Sequence, residues 1–255
     1  MMKKLLVWLC VCMMLLVSFA QAESDLTAVN VVVLEYEGSV DVTSQSGKSV
    51  PVFNNMKLHS GYEVETGDGS YAWMSLDDTK VAGLDSDSHM AVKKQGKELV
   101  LLLDDGKMFF DVQEKLTEDE VMNVRTSNMV MGITGTFGEV RVPNSQTTEV
   151  LCLDGSIEIR IFNPVSGQSE GIQLEPGEIA SFNVDSSATG NSDSSNNINI
   201  DVRNYETEEI DGFVLRYLNS NTETLDRIQT SGGGDLTEAA VNWEARLQQD
   251  EAEKQ

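Results

Sequence analysis

The sequence predicts an all-β fold: a twisted β-roll, a solenoid-like stack or a sandwich of short antiparallel strands, with a small helical appendage at the C-terminus. Three observations carry this. From Val29 to Ala180 the apolar and β-branched residues come in short runs, punctuated by clusters of Gly, Asp, Asn and Ser, which is the pattern of strands and turns. In the stretch Val124–Val140, VRTSNMVMGITGTFGEV, glycine recurs at Gly132, Gly135 and Gly138 between two apolar runs. That spacing suits a bend or bulge that lets two sheet layers pack closely. Helical spacing appears only late, in Ile210, Phe213, Val214, Tyr217 and Leu218.

Residues 1–22 read as an export signal. Lys3 and Lys4 precede an apolar run of about 15 residues, Leu5–Phe19, and Ala20-Gln21-Ala22 is a small-x-small cleavage site. The run is shorter than the roughly 20 residues a spanning helix needs, so cleavage is favoured over a retained anchor. The protein is expected to be exported, to the periplasm, the cell surface or the medium. Cleavage leaves 16 basic and 42 acidic residues, a net charge of −26. So acidic a chain is expected to bind neither nucleic acid nor an anionic lipid surface, and no stable membrane span is expected after cleavage. Cys152 alone remains after cleavage, so an internal disulfide is excluded; between Leu151 and Leu153 it reads as a small buried or half-buried residue rather than a nucleophile.

The mature chain divides into a β-domain at 23–184, a linker or loop at 185–197 (DSSATGNSDSSNN), and a last strand plus helices at 198–255. Val29–Leu34 and Gly38–Thr43 open a hairpin or meander, with a turn at Ser46-Gly47-Lys48 leading to Val50–Phe53. Val64, Ala72, Met74 and Leu76 alternate with polar or aromatic neighbours, and Gly67-Asp68-Gly69 reads as a tight turn between two strands. Leu99–Leu103 is an apolar run typical of a buried strand; Asp104-Asp105-Gly106 is expected to turn it, with Lys107–Val112 returning. Thr147–Ile161 reads as two strands joined by Asp154-Gly155, a strong short hairpin signal. Beyond Ile198–Val202, the apolar stripe from Ile210 is expected to cover one face of the β-domain. After a break at Ser231–Gly234, Asp235 and Glu238 would form a capping box for a final helix with Leu236, Ala239, Ala240, Trp243 and Leu247 on its apolar face, fraying from Gln248.

Four stretches, in order, resemble the FecR domain, an all-β extracytoplasmic module. Val124, Thr126, Gly135, Thr136 and Phe137 match its core V-x-T-P and R-G-T-x-F steps, with Ser127 in place of the proline, Thr134 in place of the arginine, and Phe137 directly after Thr136. Leu58, Gly61, Tyr62, Val64, Thr66, Gly67, Ser70, Ala72 and Leu76 resemble its L-x-x-G-D-x-I-x-T-G pattern and the strand after it. Gly106, Met108, Phe110 and Val112 resemble its G-x-V-x-V step. Thr148, Val150, Leu153, Gly155, Ile157 and Ile159 resemble its closing hairpin, and Ile172–Ala180 its terminal strand. The resemblance spans roughly residues 30–184. It implies a FecR-like β-roll, solenoid-like stack or sandwich. It also implies kinship with the extracytoplasmic halves of anti-sigma regulators, which relay an occupied outer-membrane transporter to a cytoplasmic sigma factor. With export expected from the first residue, this chain reads instead as a stand-alone binding or scaffolding protein contacting a protein or polysaccharide of the cell envelope.

No enzyme site stands out. His59 and His89 are far apart in sequence, no Gly-x-Ser-x-Gly elbow is present, and paired acids such as Asp77/Asp78 sit in turn contexts. No cofactor is expected except, as a small-ligand candidate, calcium. Asp85 and Asp87 alternate with serines, and Asp68 and Asp78 would join them if the turns stack; calcium needs six to eight oxygens. The motif residues Thr126, Gly132, Gly135, Thr136 and Phe137 are the expected structural corner and a candidate contact surface, with the sheet edges. The alternative is a calcium- or polysaccharide-binding adhesion or matrix component, for which Tyr62, Tyr71 and Trp73 would supply an aromatic surface.

Overall fold

The computed structural model describes residues 31–163, 166–184 and 198–253; residues 1–22, expected as an export signal, and the 185–197 segment lie outside them. Strands are numbered in chain order. One sheet runs β4 (Met56–Lys57), β1 (Val32–Glu37), β6 (Tyr71–Asp77), β7 (Lys80–Leu84), the second half of β9 (Glu98–Val112), β12 (Phe137–Asn144), β13 (Thr147–Asp154), β16 (Glu178–Val184) and β17 (Ile198–Asn204). The other runs β3 (Ser49–Val50), β2 (Val40–Thr43), β5 (Tyr62–Thr66), β8 (Ser88–Gln95), the first half of β9, β10 (Val121–Arg125), β11 (Met129–Ile133), β14 (Ile157–Phe162) and β15 (Ser169–Leu174). All pairings are antiparallel except that of β9 with β10. Among the described residues neither sheet closes into a barrel, so each keeps two edges.

The sheets share β9, which corrects the turn expected at Asp104-Asp105-Gly106. Glu98–Asp105 pairs with β8 and Lys80–Leu84 pairs with Met108–Val112 of the same continuous strand. The chain bends there without reversing. Leu101, Leu103, Met108, Phe110 and Val112 then all face the space between the sheets, a burial that a hairpin would split. Gly106 permits the bend: its φ is +84°, and a Cβ would lie 2.1 Å from Ser88 Oγ.

The tight turn expected at Gly67-Asp68-Gly69 and the hairpin expected at Asp154-Gly155 are corners between sheets. Gly67-Asp68-Gly69 links β5 in one sheet to β6 in the other, and Asp154-Gly155 links β13 to β14. A left-handed glycine serves either geometry; the pairing of the flanking strands decides which one forms. At Gly155 a Cβ would lie 2.6 Å from the Gly135 carbonyl oxygen, so the two corners stack directly on each other. The opening hairpin is likewise β2–β3, not β1–β2, because β1 and β2 enter different sheets.

Two cores result. The first lies between the sheets. The second lies on the far face of the β12-containing sheet, beneath helices α1 (Gly212–Asn219), α2 (Thr222–Ser231), α3 (Thr237–Val241) and α4 (Trp243–Glu253). That sheet is buried on both faces, so adjacent residues alternate between cores: Phe110, Val150 and Cys152 go to one, Phe109, Leu151 and Leu153 to the other. The stripe Phe213, Val214, Tyr217 and Leu218 packs as its spacing requires, with the Tyr217 ring 4.7 Å from that of Phe109. The final helical stretch is broken at Asn242. Leu236 takes its N-cap position, and Asp235 accepts a 3.0 Å bond from Thr237 N in place of the expected capping box. It does not fray at Gln248, because Asp250 accepts the Gly212 N–H at 2.7 Å and so caps α1.

Candidate functional site

The Val124–Val140 stretch forms hairpin β10–β11, a corner at Thr134–Thr136, and β12. Thr126 donates to Asn128 Oδ1 at 3.0 Å, and Thr148 donates to the same oxygen at 2.9 Å. Asn128, itself buried, donates to the Gln146 carbonyl. These bonds lock the β10–β11 turn to the β12–β13 turn of the opposite sheet. Ser127, at the proline position of the resembled motif, donates to the Ser145 carbonyl at 3.0 Å. Gly132 sits mid-sheet, between Asn123 and Glu158. Gly135 has φ +121° and rests against Lys115, where a Cβ would meet Cα at 3.1 Å. Thr136 is buried and its carbonyl accepts the Val112 N–H; Phe137 is buried between Phe109 and Tyr217. Of this group Thr126, Gly132 and Gly135 keep some exposure, and Thr134, where the motif has arginine, is exposed.

Two charged clusters join the sheet to the helices, and sequence reasoning missed both. Buried Asp111 accepts from Tyr217 Oη (2.8 Å), Thr224 Oγ1 (3.0 Å) and Arg227 Nη2 (2.8 Å); Arg227 also reaches Asp154 at 2.8 Å. Arg141 holds buried Glu139 with two bonds of 2.9 Å and lies 3.4 Å from Asp211, whose carboxylate is 2.8 Å from Lys107. Burial pushes the Glu139 carboxyl up to about 8, opposed by Arg141 and reinforced by Asp211. Burial also works against the charge on Asp211, but the hydrogen bond with Glu139, then Arg141 and Lys107, bring it down to about 2. Glu139 and Asp211 therefore titrate as a pair, with Glu139 the member whose charged form is disfavoured. The available signal was an acid at an inward position of an alternating strand, as in Phe109–Val112 and Gly138–Val140.

Beside the second cluster a cleft of about 580 Å³ opens between α4, the 3-10 turn Thr207–Glu209 and the ends of β12 and β13. Its cations Lys107, Arg141 and Arg246 each have an acidic partner in the fold.

The calcium candidates separate. Asp68 and Asp87 share a corner, where the Asp87 N–H donates to the Gly67 carbonyl, whereas Asp78 lies at the opposite end of β7 from Asp85. The Asp85 carbonyl accepts the Thr66 hydroxyl at 2.5 Å, and Asp87 has φ +52°, so both residues shape the corner. Among the described residues no three His, Cys, Asp or Glu side chains converge on a metal-sized site. His89 lies 3.2 Å from Asp104 and 3.7 Å from Glu63, on neighbouring strands; His59 packs edge-on to Tyr62. Tyr71 and Trp73 do not form a surface. They pack under α1 against Phe213, with the Arg216 guanidinium 4.3 Å from the Tyr71 ring. Cys152 is buried, and burial pushes its thiol up to about 12.

Residues 62–158 match the family model described as FecR protein. That stretch of the chain is similar to FecR proteins. The match begins at β5 and ends within β14, so the glycine corner lies inside it and the helical layer lies outside it. Among solved structures, the chain resembles two crystal structures of a candidate anti-sigma factor from Parabacteroides distasonis. One has 17% identity and a TM-score of 0.45, covering 65% of this chain and 73% of that one. The other has 18% identity and a TM-score of 0.46, covering 66% and 74%. No curated protein matches.

Proposed function

We propose that this protein is an exported, non-enzymatic FecR-domain protein that works by binding another protein of the cell envelope, as a stand-alone scaffold or regulator. The observation that carries the reading is the similarity to FecR proteins at residues 62–158, set in a sandwich that leaves strand edges open. The free edge at β15 is the contact surface. From the Asn163 N–H bond to the Gln168 carbonyl, the β14–β15 register turns the backbone groups of Ser169, Gly171 and Gln173 away from β14. That edge can accept an extended partner segment as an added strand. The adhesion alternative loses support because Tyr71 and Trp73 lie beneath α1.

The test is in-cell crosslinking and pull-down of mature protein, comparing the parent with Gly171→Pro. Proline is tolerated on an edge strand but removes the outward N–H. The expected result is one dominant envelope protein with the parent and its loss with the variant. Co-purifying polysaccharide with no protein partner would sink the proposal.

A further inference from the structure

We propose that the chain also pairs with a second copy of itself, edge to edge through β17, antiparallel, with the two-fold axis at Val202. Among the described residues β17 pairs only with β16, in an unbroken register from Val184–Ile198 to Glu178–Asn204. The Tyr205 N–H donates to the Gly177 carbonyl, and this sets the phase of the ladder. Asn199, Asp201 and Arg203 exchange bonds with β16, so the backbone groups of Ile198, Ile200, Val202 and Asn204 point outward. No proline, lysine or bulge interrupts this edge, the usual means of keeping one unpaired. Val202 is 41% exposed there, beside half-buried Ile200.

Charge selects the occupant and the register. A two-fold axis at Asp201 would set that carboxylate against the partner's Asp201, and one at Arg203 would oppose two guanidinium groups. An axis at Val202 sets Asp201 opposite the partner's Arg203, and Arg203 opposite the partner's Asp201, on the same face. It also makes Val202 and the partner's Val202 a hydrogen-bonded pair, flanked by Ile200 with the partner's Asn204. This is the phase in which the outward backbone groups already stand. The edge is thus self-complementary in both hydrogen bonding and charge. Arg203 is anchored by Glu209, at 2.6 and 2.7 Å, on the face where the partner's Asp201 would arrive.

The experiment is sedimentation of the mature chain over a dilution series, with Asp201→Arg, Arg203→Asp and their equimolar mixture. The parent should be a dimer that dissociates on dilution. Each single variant places like charges opposite each other twice and should weaken the dimer about tenfold or more. Mixing the two variants restores both opposite-charge pairs, so a heterodimer should form with parent-like affinity. A parent that stays monomeric at every concentration overturns the proposal. So do single variants that dimerise as the parent does, or a mixture no tighter than its components.

Discussion

Replacing Asp111 with alanine should loosen the helical layer. Asp111 is fully buried and is the common acceptor for Tyr217 and Thr224 and a partner of Arg227, so one change strands donors on both α1 and α2. Breaking a buried ion pair costs about 3–5 kcal/mol. Arg227 is about a quarter exposed and keeps Asp154, which places its share at the low end. The orphaned Tyr217 hydroxyl, in the second core, offsets that discount, and the expected loss is about 3 kcal/mol. For a chain of this size that lowers Tm by about 6–12 °C. Asp111→Asn keeps an acceptor and should lose roughly half as much. The assay is denaturant unfolding followed by tryptophan fluorescence: Trp73 lies beneath α1 and Trp243 opens α4, so both report on the helical layer. A double-mutant cycle with Arg227→Ala should return a coupling of about 1–3 kcal/mol. If Asp111→Ala falls within about 1 kcal/mol of the parent, or the coupling vanishes, the cluster does not fasten the helices and the reasoning fails.

Two further predictions follow from the same geometry. Glu139 holds its proton in the folded chain up to about pH 8 but releases it near pH 4 when unfolded, so its contribution is fully present below about pH 4 and is lost as pH rises through 8. Thermal melts should show the parent losing stability relative to Glu139→Gln between pH 5 and 8; parallel profiles would contradict a protonated Glu139. Gly96→Ala and Gly155→Ala both place alanine at positive φ, but at Gly96 nothing lies within 4 Å, whereas at Gly155 the Cβ meets backbone. Gly96→Ala should cost about 1–2 kcal/mol and Gly155→Ala clearly more in urea titrations, and equal costs would show that the stacked corners are loose.

The sequence alone determined most of the strands and the helical tail, because alternation with period 2 and the stripe at 3.6 are local properties of the chain; it did not mark β8, whose short apolar centre Met90–Val92 lies between polar ends. It also marked the glycine-rich stretch within which the corner Thr134–Thr136 forms, and pointed to the burial of Cys152, since small and apolar residues carry their environment with them. Which strands pair was not legible. Asp154-Gly155 and Gly67-Asp68-Gly69 supply a left-handed residue that suits a hairpin or a corner between sheets equally well, and only the competition for two cores chooses the corner. Asp104-Asp105-Gly106 looked like a reversal for the same reason, yet continuing β9 through it buries Met108, Phe110 and Val112 with Leu101 and Leu103. The acids Asp111, Glu139 and Asp211 could be seen as charges in apolar surroundings, but Asp111 meets Arg227, and Asp211 meets Lys107 and Arg141, only across distant strands and helices; Arg141 is near in sequence to Glu139 alone. Tertiary structure decided those pairings, because a buried carboxylate takes its meaning from whatever cation or proton the fold brings within hydrogen-bonding reach.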